Sequence, residues 1–117
     1  MEFFGKTLSG PFTIPSGIVT TATPIIQYIF DHMPEVGVVT TKSIGLQPRA
    51  GNREPVYSQY APGCFVNAVG LTNPGAHASR DALAALKVPA DRFFLSSIFG
   101  GSLEEFVAVA KILAPVS

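Results

Sequence analysis

Val36-Gly37-Val38-Val39-Thr40-Thr41-Lys42-Ser43 decides how this chain is organised. Its first six residues are uncharged and rich in β-branched side chains, which read as a strand covered on both faces, as in parallel sheets. A lysine and a serine then end the run abruptly. Two shorter runs flank it: Pro11 to Pro15, closed by Ser16-Gly17, and Phe93 to Ile98, closed by Phe99-Gly100-Gly101. Both are expected to be buried strands of the same sheet.

Helical patterns separate and follow these runs. Pro24 to Met33 sets Ile25, Ile29 and Met33 on one stripe. Ser79 to Leu86 is alanine-rich, with Leu83 and Leu86 on a common face. Ser102-Leu103-Glu104-Glu105 has the form of a capping box, opening a helix to about Leu113 whose buried stripe would be Phe106, Val109, Ala110 and Leu113. Between the second strand and second helix runs a long excursion, Ile44 to Gly75, rich in proline and glycine. Within it, Pro55 to Tyr60 and Cys64 to Val66 can pair as a hairpin around Ala61-Pro62-Gly63. Long insertions in a βα series usually serve function.

An α/β chain of about three βα units fits an open doubly wound sheet or the N-terminal part of a (β/α)8 barrel. The first strand lacks a Gly-x-Gly-x-x-Gly turn, which argues against the dinucleotide-binding sheet. Barrels keep their chemistry at the C-terminal ends of strands. Those ends here carry Ser16-Gly17, Lys42-Ser43 and Gly100-Gly101, so the barrel is preferred.

Composition narrows the function. Of 117 residues, 47% are hydrophobic and 14% charged, against the roughly 25% charge usual in globular domains. So low a charge content implies that much of the surface meets other protein. Eight basic and eight acidic residues are scattered, giving no patch for nucleic acid or anionic lipid. Cys64 is the only cysteine, which excludes an internal disulfide and a cysteine-rich metal site; it is expected to be a small buried hydrophobe. His32 and His77 lack ligand-like spacing, and Arg49 and Arg53 are expected to be solvated or at an interface. No metal is implied. The start of the chain has no secretory pattern, and no apolar run is long enough to span a membrane, so a cytoplasmic location is expected.

Two stretches carry chemistry. Lys42, directly after a buried strand, is either a snorkelling surface lysine or a cation held against an anionic ligand or electron-rich ring. Asn67-Ala68-Val69-Gly70-Leu71-Thr72-Asn73-Pro74-Gly75 is either a turn-rich loop or a backbone surface brought close to a ligand.

In order and spacing, four segments resemble the class 1 dihydroorotate dehydrogenases. They are Pro15-Ser16-Gly17, the stretch from Thr41-Lys42-Ser43 to Arg49-Ala50-Gly51-Asn52, Asn67 to Gly75, and Ser97-Ile98-Phe99-Gly100-Gly101. The resemblance runs from about Phe12 to Leu113 and implies the N-terminal portion of a barrel. It implies FMN as cofactor, dihydroorotate and orotate as substrate and product, and a role in pyrimidine biosynthesis. Ser16 and Gly17 would lie beside the flavin ring, Lys42 between flavin and substrate, and Ser43 against the flavin. Asn67 would bind a substrate amide, and the backbone of Val69, Gly70 and Leu71 would hold the carboxylate.

In that family a catalytic base takes a proton from C5 while a hydride leaves C6 for the flavin. The class 1 base is a cysteine after the fourth strand. Cys64 does not match that position, so no catalytic base is expected in this chain and one is expected beyond Ser117. With only about three strand–helix units, the 117 residues are expected to be a partial barrel truncated before the fourth strand, either a truncated product or one completed by a companion chain or within a homodimer. Leu46-Gln47-Pro48-Arg49 resembles members that pair with an iron–sulfur electron-transfer subunit and reduce NAD. Rival expectations are a dihydropyrimidine dehydrogenase-like FMN domain and a non-catalytic interaction subunit. The chain alone is expected to be inactive.

Overall fold

In the computed structural model, which describes residues 2–117, strand Val36–Thr40 is the centre of a three-stranded parallel sheet. Elements are numbered along the chain: β1 (Glu2–Phe3), β2 (Lys6–Thr7), β3 (Phe12–Ile14), α1 (Thr23–His32), β4 (Val36–Thr40), β5 (Tyr57–Ala61), β6 (Cys64–Asn67), α2 (Ala76–Leu83), β7 (Phe93–Leu95) and α3 (Leu103–Leu113). The parallel order is β3-β4-β7, with Ile14 opposite Val39 and Val39 opposite Phe94. Beyond the strand ends the β4–β7 pairing resumes as a parallel bridge between Ile44 and Ile98. An order in which sequence neighbours are spatial neighbours suits both a barrel segment and half of a dinucleotide-binding sheet.

The three helices bury one face of this sheet. Val39, fully buried, and Phe94 meet Ile26, Ile29 and Phe30 of α1, Leu83 of α2, and Val109 and Leu113 of α3. Covering a side chain of this size contributes roughly 1.5–3 kcal/mol, so these contacts set the layer order. The opposite face carries Thr13, Val38, Thr40, Phe93 and Leu95. An antiparallel β1–β2 hairpin covers its lower end, with the Phe3 ring edge-on to Phe93 at 5.2 Å and Lys6 Nζ 5.3 Å from the Phe93 ring centroid. Arg92, 5% exposed, ties that end together by donating from Nη1 to the carbonyls of Met33 (2.8 Å) and Val36 (2.7 Å).

Several expectations need correction. Only β4 is buried along most of its length; β3 is an outer strand of the sheet among the described residues, and its Phe12 is 64% exposed. The α1 stripe is Ile26, Ile29 and Phe30, leaving Ile25 and Met33 largely exposed. Three apolar positions at a spacing of four drift around the helix, while Phe30 offers more area one residue along. Helix α2 starts and ends about three residues earlier than expected, since Gly75 supplies its N-cap position. In α3, Val109 and Leu113 are buried, whereas Phe106 and Ala110 face outward. Cys64 is exposed at the start of β6, in a hairpin whose two strands are almost wholly exposed.

The α3 cap is half a capping box. Ser102 Oγ accepts the Glu105 N–H at 3.3 Å, and Glu105 reaches back to the N–H of Gly101 (2.6 Å), one residue before the expected donor. Such a cap stabilises a helix by about 1 kcal/mol. The Glu104 carboxyl is held below its ordinary value by its own backbone N–H and then by the Ser102 hydroxyl. No helix among the described residues is long and apolar enough to cross a membrane.

The result is a slab, 41 × 40 × 23 Å, with a radius of gyration of 15.5 Å where about 13 Å would suit a compact domain of this length. Among the described residues no strand pairs with either outer edge of the β3-β4-β7 sheet, and Leu95 on its second face is 38% exposed. Open edges beside apolar surface invite association. Light scattering of the 117-residue chain at micromolar concentration is expected to show oligomers or aggregates, and a monodisperse monomer with cooperative unfolding would contradict this.

Candidate functional site

The C-terminal ends of the three parallel strands converge through hydroxyl groups. Ser16, after β3, lies 3.3 Å from Ser43, after β4, oxygen to oxygen, and Ser43 lies 2.8 Å from Ser97, after β7. Thr41 strengthens the seam: its backbone N–H donates to the Leu95 carbonyl (2.9 Å), and its Oγ1 accepts the Ser97 N–H (3.0 Å). The Lys42 N–H donates to the Thr20 carbonyl at 3.1 Å, tying the short 3-10 turn Ile18–Thr20 to the end of β4. Lys42 is thus fixed at its backbone, with its side chain half-buried.

The excursion folds back over these ends. Asn73, 7% exposed, is its anchor: Oδ1 accepts the N–H groups of Gly45 (3.2 Å) and Gly75 (2.9 Å), and Nδ2 donates to the Leu71 carbonyl (2.8 Å). Arg49 and Asn73 also exchange two backbone hydrogen bonds, at 2.8 and 3.0 Å. One amide therefore joins the exit of the excursion to its entry.

A second seam aligns residues 50–52 with 68–72. The Asn52 N–H donates to the Val69 carbonyl (3.0 Å), Asn52 Nδ2 to the Ala68 carbonyl (2.7 Å), and Thr72 Oγ1 to the Ala50 carbonyl (3.2 Å). Gly70 has φ 81°, and a Cβ there would meet Asn52 within 2.8 Å, so glycine is needed for both conformation and space. Leu71 follows with φ 58°, a left-handed conformation that costs a non-glycine residue roughly 1–2 kcal/mol. Its side chain is 46% exposed. Strain of this kind persists only where the surroundings enforce it, and it gathers at ligand sites.

Between the strand ends and this turn lies a cleft of about 630 Å³. Ser16, Gly17, Lys42 and Ser43 form one side, and Asn67, Val69, Gly70 and Leu71 the other. All eight residues singled out in the sequence line this one cleft. Sequence reasoning missed the apolar walls Ile18 and Val56, and Tyr57, which stacks on Phe65 at 5.3 Å. It missed Ser97 too, and Asn73 as a clamp; the only signal for the latter was an asparagine placed directly before Pro74-Gly75. Cys64 does not line the cleft, and nor do His32 and His77. Lys42 and Tyr57 are its only ionisable residues, and it contains no carboxylate.

A flat conjugated ring fits this cleft. Nothing lies within 4 Å of a Cβ built on Gly17, so that backbone presents open space to the cleft. Ser16, Ser43, Lys42 and Asn67 can all donate to ring carbonyls or nitrogens, and the walls are largely apolar. No arginine lines the cleft to grip a phosphate.

The family model described as "Dihydroorotate dehydrogenase" matches residues 1–117. The catalytic subunit of dihydroorotate dehydrogenase B (NAD(+)) from Pyrococcus furiosus is 36% identical over 116 residues, covering 99% of this chain and 37% of that protein. The same subunit from Pyrococcus abyssi is 34% identical over 117 residues, covering 100% of this chain and 38% of the relative. That from Methanocaldococcus jannaschii is 40% identical over 78 residues, covering 64% of this chain and 25% of the relative. The chain thus spans well under half the length of these relatives.

The Asn73 clamp gives a stability test. Asn73→Ala strands two buried N–H donors, and each unsatisfied group costs about 1–3 kcal/mol. Denaturant unfolding of the enzyme completed with its remaining strands is expected to show a loss of at least about 2 kcal/mol, and a change below about 0.5 kcal/mol would mean that the excursion is held by other contacts.

Proposed function

The chain belongs to the dihydroorotate dehydrogenase family, and from that premise we propose that it forms one wall of a flavin and orotate site. The whole enzyme would oxidise dihydroorotate to orotate in pyrimidine biosynthesis. The β3-β4-β7 sheet with its three helices would be the first part of a (β/α)8 barrel, with the cleft at the barrel mouth. The observation that carries this reading is the convergence of Ser16, Gly17, Lys42, Ser43, Asn67, Val69, Gly70 and Leu71 on one cleft.

FMN is the cofactor that suits the reading, and when bound it supplies the two-electron acceptor. Ser16, Gly17 and Ser43 would hold its ring edge. Lys42 lines the cleft on the side of the strand ends. Its ammonium would face the pyrimidine edge of the ring and the substrate carboxylate, stabilising negative charge as it develops. Asn67 would orient the substrate through its amide, and the strained turn at Val69–Leu71 would present backbone to the carboxylate. The apolar walls would exclude water and strengthen these charge interactions.

Proton removal needs a base, and no Cys, His, Asp or Glu lines this cleft. The base would therefore come from outside these 117 residues, as would the grip on the FMN phosphate. Electrons would pass to NAD, which the relatives' names carry together with the words catalytic subunit, and the resemblance at Leu46-Gln47-Pro48-Arg49 is what implies an electron-transfer subunit as the route.

Two results test the proposal. The 117-residue chain alone should not oxidise dihydroorotate. In an enzyme completed with the remaining strands, Lys42→Ala should slow flavin reduction by dihydroorotate by about 10²-fold or more, as expected for loss of a transition-state charge partner. Stopped-flow absorbance measures this rate; an unchanged rate would make Lys42 a solvated lysine and leave the cleft without its electrostatic role.

A further inference from the structure

The β5–β6 hairpin carries two stacked aromatic rings in the open. Tyr57 of β5 and Phe65 of β6 lie 5.3 Å apart, centroid to centroid, with 14° between their planes, and they are 60% and 53% exposed. Rings kept this far from the core gain little from burial where they stand.

Strand register shows what Tyr57 faces. It pairs with Asn67 across the hairpin, and residues directly opposite in an antiparallel pair send their side chains to one face. Phe65 precedes Asn67 by two residues and shares that face by strand alternation. Tyr57 and Asn67 both line the cleft of about 630 Å³, whereas Phe65 does not. Phe65 therefore backs the Tyr57 ring from the side of the hairpin tip, and the other face of that ring stays free. The root of the hairpin is fixed. The Ala68 N–H donates to the carbonyl of Val56 (2.8 Å), the residue before Tyr57, and the Ala68 carbonyl accepts from Asn52 Nδ2 (2.7 Å). Tyr57 thus has a set place in the cleft wall beside Asn67.

Resting on the reading of the cleft as a dihydroorotate and orotate site, we propose that Tyr57 selects for a flat ring, stacking on the ligand that Asn67 orients. The reaction gives such a stack a preference. Dihydroorotate has tetrahedral carbons at C5 and C6, which pucker its ring and place hydrogens above and below it. Loss of a proton from C5 and a hydride from C6 makes both carbons trigonal and the ring flat. Orotate therefore offers a conjugated face that dihydroorotate lacks, and aromatic stacking favours such a face. A pyrimidine-sized ring stacked on an aromatic side chain gains about tenfold in affinity.

The test uses the flavin-loaded enzyme completed with its remaining strands. Orotate affinity is read by isothermal titration, and the half-saturating dihydroorotate concentration by anaerobic stopped-flow flavin reduction. Tyr57→Ala should weaken orotate about tenfold and shift the dihydroorotate value by less than about threefold. Tyr57→Leu, which keeps bulk in case alanine unsettles the hairpin, should do the same. Tyr57→Phe keeps the ring and should bind orotate within about twofold of the unaltered enzyme. Tyr60→Ala, on the same hairpin but outside the cleft, should change neither value. Equal losses for both ligands would mark a merely structural role and overturn the proposal, as would a loss in Tyr57→Phe matching that in Tyr57→Ala. Unchanged orotate binding in Tyr57→Ala and Tyr57→Leu would overturn it too. If Lys42→Ala still weakens orotate in that case, the cleft remains the substrate site and Tyr57 is a bystander; if it does not, the reading of the cleft falls as well.

Discussion

The side-chain amide of Asn73 holds together the part of the molecule on which function depends. A sheet with helices on one face needs no 32-residue insertion after its second strand, and such a segment would ordinarily drift in solvent. Here one buried amide accepts from Gly45 at the start of the insertion and from Gly75 at its end, and donates to Leu71 on the cleft side. The 50–52 and 68–72 seam then has a fixed position over the strand ends. Without that closure, the polar residues after β3 and β4 would face open water and form no cleft.

Central features of the fold were legible because their signals were local. Four consecutive buried residues in β4 follow from a β-branched run that no charge interrupts. The β5–β6 hairpin was readable from Pro62-Gly63, although it starts at Tyr57, later than the composition suggested. What the sequence concealed depended on layers. The buried face of α1 is chosen by Val39 and Phe94 across the interface, so Phe30 displaces Ile25 from the core. Cys64 reads as core material, but it sits in a hairpin whose strands are almost wholly exposed. The β1–β2 hairpin was not anticipated, since two-residue strands leave no periodic trace.

The candidate site was legible for a different reason. Residues far apart in the chain, such as Ser16 and Leu71, stood out as polar or glycine-rich breaks after apolar runs. Their convergence could be inferred only from resemblance to a family, because no spacing rule links a strand end to a turn 55 residues later. The helpers escaped notice: Ser97 continues the hydroxyl seam at 2.8 Å from Ser43, and nothing in Ser96-Ser97 marks which serine faces it. The cleft that results has a single cation, hydroxyl and amide donors, and apolar walls. Under the proposed function it would bind and polarise an anionic ring compound, and no Cys, His, Asp or Glu lines it to remove a proton from carbon.

The central claim is that the strained turn at Val69–Leu71 is the wall that meets the substrate. Backbone hydrogen exchange, measured with and without orotate in the flavin-loaded enzyme completed by its remaining strands, tests this most directly. The account predicts slowed exchange at the amides of Val69, Gly70 and Leu71 and at Lys42, with no change at the hairpin tip near Gly63. Orotate-dependent protection confined to other segments, with Val69–Leu71 exchanging as before, would contradict it.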